Sequence, residues 1–201
     1  MTDMARSALL TLALSAAALL AYVGYRAVLP ENMPDGTEHA GASVLVDTLP
    51  EFALEDLAGE MRSIHGWEGD ALVINFWATW CAPCLREIPL LKEFQDANGS
   101  AGVQVVGIAV DHLEAVRAFA EDMSFNYPVL VGQLAAMEAA AEFGLEFFVL
   151  PFTVYTDHRK RILGVHNGEL HTEHLDELLL VLKALEAGSM DIDAARARLH
   201  H

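Results

Sequence analysis

Hydrophobic and polar positions along this chain divide it into a long apolar run, a polar stretch and an alternating remainder. From Ser7 to Tyr25 there is no charge and a dense succession of Leu and Ala; as a helix this run spans about 28 Å, close to a bilayer core. Pro30 to Ser43 is polar, aperiodic and punctuated by Gly and Pro, which reads as a tether. A folded domain is expected from Val44 onward. Phe52–Leu54 predicts an extended piece, Ala58-Gly59 a turn and Ser63–Trp67 a short helix. Ala71–Trp77 is continuously apolar apart from Asn75, the pattern of a strand buried on both faces. A helix over Ala82–Ala97 follows, interrupted by Pro89, which is expected to kink it. Val103–Val110 predicts a second buried strand. Leu113–Met123 places Val116, Phe119, Ala120 and Met123 on one helical face. Pro128–Val131 reads as a short strand and Gln133–Phe143 as an Ala-rich helix stopped by Gly144. After Leu150-Pro151, Phe152–Tyr155 and Ile162–Val165 flank a polar turn and predict a hairpin. His171–Leu185 repeats Leu at helical spacing. Gly188 onward has little apolar pattern and reads as a loose tail. Alternating strands and helices closed by a hairpin and a helix predict an α/β domain, a central mixed sheet flanked by helices.

The chain has 201 residues and a formal charge of -17, which argues against nucleic acid and anionic lipid surfaces as partners. Ala16-Ala17-Ala18 lies inside the apolar run and Ala40-Gly41-Ala42 well beyond it, neither at a signal-peptidase position. No cysteine stands at the end of the run to take a lipid. Residues 1–29 are therefore read as an uncleaved transmembrane anchor, with a cleaved signal peptide as the alternative. Arg6 and Arg26 bracket the run, and the acidic remainder is placed on the exported side, in the periplasm. The resulting organisation is anchor (1–29), tether (30–43), domain (44–187) and tail (188–201).

Cys81 and Cys84 are the only cysteines, in Phe76-Trp77-Ala78-Thr79-Trp80-Cys81-Ala82-Pro83-Cys84, where a buried strand gives way to a helix. Such a pair can close into a disulfide and reopen, a two-electron couple. A structural disulfide over so short a loop would stabilise little. Cys81 is expected just before the first helical turn, where unpaired backbone N–H groups and the helix dipole favour a thiolate. Lowering its pKa from about 8.5 to about 7 corresponds to roughly 2 kcal/mol. Cys84, one turn in, is expected to be buried and to resolve the mixed disulfide that Cys81 forms with a client. Glu87 follows Cys84 by three residues and shares its helix face. It is either a partly buried carboxylate that exchanges the Cys84 proton or a solvated surface acid. Trp80 is expected as an exposed docking surface, Trp77 as core, Arg86 as an exposed side chain, and Thr79 receives no role. None of the nine histidines has a Cys or carboxylate at ligand spacing, so no metal and no cofactor beyond the redox-active Cys81–Cys84 disulfide is expected. Arg159-Lys160-Arg161 reads as a solvated turn.

The Phe76–Cys84 motif, Arg86-Glu87-Ile88-Pro89 after it and Leu150-Pro151 opening a hairpin resemble the thioredoxin superfamily. Within it the match is to membrane-tethered, exported thiol-disulfide oxidoreductases of the TlpA, ResA and CcmG type. The resemblance covers about Val44 to Ala187 and implies a thioredoxin-like fold with Pro151 in cis, whose preceding residue, Leu150, would pair its backbone with an extended client. It goes with Pro83 as a mark of the reducing members, and with an acid at the Glu87 offset. Asn75 falls where cytoplasmic thioredoxins carry a buried Asp; Asn cannot exchange a proton, which strengthens the case for Glu87. The implied activity is reduction of disulfide-bearing client proteins, such as haem-attachment cysteines of apocytochromes c or copper-site assembly factors, with reset by a transmembrane thiol electron donor. The alternative is a Cu(I)-binding metallochaperone using the same cysteines. The peroxidatic Pro-x-x-x-Thr-x-x-Cys spacing is absent.

Overall fold

A computed structural model describes residues 46–145 and 149–199, together with Leu20 and Tyr22. The expected anchor and tether lie outside the described residues apart from those two, which are helical and exposed. Among the described residues no helix is long and apolar enough to cross a membrane.

The apolar runs become a seven-stranded mixed sheet in the order β2-β1-β5-β4-β3-β6-β7. Its strands are β1 (Ala53–Asp56), β2 (Met61–Ser63), β3 (Ala71–Trp77), β4 (Val103–Ala109), β5 (Val129–Val131), β6 (Phe152–Thr156) and β7 (Ile162–Asn167). β3 pairs parallel with β4 and β4 with β5, each pair joined by a crossover helix, while β6 and β7 add antiparallel at one edge. The helices are α1 (Ala82–Asn98), α2 (Leu113–Met123), α3 (Leu134–Ala141), α4 (Thr172–Glu186) and α5 (Ile192–Leu199).

The period-2 geometry of β3 divides its apolar side chains between two cores. Val73 and Trp77 join Ile88, Leu91 and Phe94 of α1, Val116 of α2 and Leu175 and Leu178 of α4. Leu72, Ile74 and Phe76 face the other way, onto Ala136, Ala139 and Ala140 of α3 and Phe143. A strand sandwiched in this manner has every side chain in a core, which is why β3 reads as one apolar run. The cysteine pair, just beyond its C-terminal end, is therefore held by a strand buried along its whole length.

Several expectations are corrected. The helix expected over Ser63–Trp67 is a single 3-10 turn, Ile64–Gly66. The residues ahead of it form β2, which pairs antiparallel with β1, Ala53 opposite Ser63. All of β2 is exposed, so no apolar alternation marks it. The loose tail expected from Gly188 contains α5, whose Ala195 and Leu199 are buried against the domain. Only these two positions of the helix are buried, so its amphipathic signal is faint. The turn Arg159–Arg161 is only partly solvated: Lys160 donates its ammonium to the carbonyls of Trp67 and Asp70, and Arg161 pairs with Asp157.

Candidate functional site

α1 begins at the end of β3. Cys81 is its N-cap residue, in extended backbone (φ -91°, ψ 98°), and no side chain caps the helix. The first-turn N–H groups thus point toward the Cys81 end of the helix, the arrangement that favours a thiolate there. Pro83 lies in this first turn, where a helix tolerates its missing donor. Cys81 and Cys84 are joined as a disulfide, their Cα atoms 5.3 Å apart. Cys81 retains 5 % of its surface and Cys84 none. The expected order of exposure holds, yet Cys81 is more enclosed than a freely reachable sulfur would be. What access solvent has to the disulfide runs through Cys81.

Two loops enclose the pair. On the strand side, Thr79 donates both its N–H (3.1 Å) and its hydroxyl (2.6 Å) to Asp111 Oδ2. Asp111, at the end of β4, also accepts the His112 N–H at 2.8 Å. Thr79 and Asp111 thereby fix the approach to Cys81, a role no sequence spacing indicated, since the partners lie 32 residues apart. On the opposite side, the register of β3 with β6 places Phe76 opposite Phe152, so Leu150-Pro151, just ahead of β6, stands at the same sheet end as the dithiol. The Leu150-Pro151 peptide is cis, as the resemblance implies. Trp80 is 70 % exposed and Val149 80 %, which leaves large apolar surface on both loops. Trp77 is wholly within the core, as expected.

Glu87 is not a surface acid. It is 1 % exposed, on the turn of α1 that follows Cys84. Asn75 Nδ2–H donates to its Oε1 at 2.8 Å, and the Leu170 N–H donates to its Oε2 at 2.7 Å. Asn75 also donates to Thr153 Oγ1 at 3.0 Å. Burial pushes the Glu87 carboxyl up to about 7, against the two donors, which favour the anion. Tyr155 packs on the same region with its hydroxyl buried and, among the described residues, without a hydrogen-bond partner; burial first, and the Glu87 carboxylate second, raise its phenol. Asn75 therefore occupies the buried polar slot as a neutral donor, and Glu87 is the titratable group beside it. Arg86, the neighbour of Glu87 on α1, points outward and pairs with Glu169.

Among the described residues no group of three His, Cys, Asp or Glu side chains could hold a metal ion. The expected site residues Cys81, Cys84 and Glu87 converge on one end of α1, with Trp80 and Pro83 in the same segment and Leu150 and Pro151 at the same sheet end, just ahead of β6.

The chain is similar to known thiol-disulfide oxidoreductases and thioredoxin-like proteins. The thiol-disulfide oxidoreductase ResA of Geobacillus kaustophilus is 28 % identical over 166 residues, covering 82 % of this chain and 90 % of the relative. The thioredoxin-like protein YneN of Bacillus subtilis is 30 % identical over 133 residues, 65 % of this chain and 75 % of YneN. In structure, a thiol:disulfide interchange protein of the thioredoxin family from Chlorobium tepidum superposes with a TM-score of 0.60 at 26 % identity, covering 68 % of this chain and 95 % of that one. The AhpC/TSA family matches residues 45–163, more than half of the sequence. With a thioredoxin-like fold and the Cys81–Cys84 disulfide at the head of α1, the chain belongs to the AhpC/TSA family, as a thioredoxin-like thiol-disulfide oxidoreductase.

Proposed function

We propose that the protein is an exported, membrane-anchored reductase of client protein disulfides. The observation that carries this reading is the juxtaposition, on α1, of a dithiol at the helix N-terminus with a buried carboxyl that titrates near neutrality. In the reduced state the Cys81 thiolate attacks one sulfur of the client disulfide. The Cys81–client bond forms and the second client sulfur leaves as a thiolate. Glu87 as carboxylate takes the proton of Cys84; the Cys84 thiolate then attacks the Cys81 sulfur, the Cys81–Cys84 bond forms, and the first client sulfur departs. Two electrons have passed to the client, and the disulfide present in this structure is the product state. A transmembrane thiol electron donor returns it to the reduced form.

The client segment lies along Leu150 and Pro151 and against the exposed ring of Trp80. The charge-free run Ser7–Tyr25 supports the anchor. Likeness to ResA supports clients among exported proteins that need free thiols, haem-attachment or copper-site cysteines being the leading classes.

Trapping tests the assignment. A Cys84→Ser variant accumulates clients as mixed disulfides on Cys81, and Cys81→Ser accumulates none; equal yields from the two variants reject the mechanism. A redox titration then fixes direction. A potential near thioredoxin's, about -270 mV, marks a reductase and one near -120 mV an oxidase, a gap of roughly 7 kcal/mol.

A further inference from the structure

The loop between β7 and α4 touches both sides of the dithiol site, and the chemistry above leaves its central side chain unused. Glu169 accepts a bidentate ion pair from Arg86: Nε donates to both carboxylate oxygens at 3.0 Å, and Nη2 also reaches Oε2. The next residue, Leu170, delivers its N–H to Glu87 Oε2 at 2.7 Å and buries its side chain in the core. Arg86 and Glu87 are adjacent on α1, so the guanidinium and the carboxylate grip two consecutive residues of the same loop. The rest of the loop is strapped as well. The Gly168 N–H donates to the Pro151 carbonyl at 2.9 Å, and His166 Nε2 meets the Glu169 carbonyl at 3.2 Å.

We infer that Glu169, through its ion pair with Arg86, is a positioning residue that seats the Leu170 N–H on Glu87 and so sets the pH at which Glu87 exchanges its proton. Exposed ion pairs in general add little to stability. This one is bidentate, and its lever is a single N–H on a buried carboxylate, a charge-assisted bond of the stronger kind. The groups facing Glu87 are Asn75 of β3, Tyr155 of β6, Tyr127 ahead of β5 and Glu169 from the loop, with Arg86 and His171 acting on Glu169. Among them Glu169 has two opposed effects. Its negative charge alone disfavours ionisation of Glu87, whereas its grip on Arg86 favours ionisation by holding the Leu170 donor in place.

That opposition makes the test decisive. The functional consequence rests on Glu87 as the proton acceptor of Cys84, but the positioning itself is read without turnover, from the carboxyl carbon-13 shift of Glu87 across pH in the full-length disulfide form. The resonance is assigned by its loss in Glu87→Gln. Glu169→Ala moves the Glu87 midpoint up by about one pH unit, tenfold in the proton equilibrium. Glu169→Gln keeps a carbonyl acceptor for Arg86 without the charge and recovers part of that shift. A midpoint that falls or stays put in Glu169→Ala overturns the inference, because loss of the charge alone lowers it. If instead the midpoint rises while Glu87→Gln reduces a client disulfide at the wild-type rate, the positioning stands and the proton-acceptor reading fails.

Discussion

Glu87 carries an energetic cost whose sign can be worked out from its surroundings. Its carboxyl titrates near 7 in the folded chain against an ordinary value of 4.5. An acid whose folded pKa is raised contributes its stability in full below the unfolded value and loses it as pH climbs through the folded one. Between pH 4.5 and 7 the fold therefore loses about 3 kcal/mol that a neutral side chain would keep. Denaturant unfolding of the disulfide form at a series of pH values is expected to show this fall in wild type and its absence in Glu87→Gln; parallel curves would contradict the buried, raised carboxyl. Asn75 supplies a second prediction. It donates to both Glu87 and Thr153, so Asn75→Ala leaves two buried acceptors short of a donor. The expected cost is about 1–3 kcal/mol, together with a further rise in the Glu87 midpoint, both measurable in the same experiments. The cysteines and the offset of Glu87 are legible in the sequence because they follow one another at three-residue intervals along one helix. Thr79 with Asp111, and Arg86 with Glu169, are not, because those contacts join residues 32 and 83 positions apart and a polar pair carries no periodicity.

At the scale of elements, legibility follows burial. β3, β4, β6 and β7 were marked by apolar runs, and α2 by a clear apolar face. α5 was not, since Ala195 and Leu199 alone bury it, yet it covers the β7 edge and holds the entry of the chain. Arg196 Nε donates to the Ile162 carbonyl at 3.0 Å, and its Nη1 pairs with Asp47 at 2.9 Å. The helix sits so close that a Cβ placed on Gly164 would stand 2.9 Å from the Leu199 carbonyl oxygen and 3.2 Å from its Cβ. Gly164 is thus fixed by contact. Gly164→Ala must displace α5 or strain β7, at an expected cost of about 1–3 kcal/mol. Removing the helix as well separates the two possibilities: once the chain is cut after Gly188, the alanine becomes harmless while the truncation itself destabilises. Unfolding midpoints of the single and combined variants read the coupling, and an additive result would place the strain elsewhere.

For the molecule as a whole, charge is expected to govern which of the proposed clients arrive. Asp and Glu number 29 against 12 Lys and Arg, so the chain meets any partner with a strongly negative field. On the proposed docking of client segments against the exposed ring of Trp80, contact there is apolar and indifferent to charge, so discrimination between clients of similar apolar content falls to the encounter. Long-range attraction of this kind raises association rates and is screened over about 10 Å at 0.1 M salt. Contact energy at Trp80 is short-range and survives salt. A peptide disulfide flanked by lysines is therefore expected to be reduced faster at low ionic strength than one of equal length flanked by glutamates, with the ratio approaching one by about 1 M salt, where the screening length falls to about 3 Å. Stopped-flow measurement under second-order conditions isolates the encounter from the later resolution by Cys84. A ratio that persists unchanged at high salt would locate selectivity in direct contacts around Trp80 and Pro151, and a ratio of one at low salt would mean that the field at the dithiol is neutral despite the acidic chain around it.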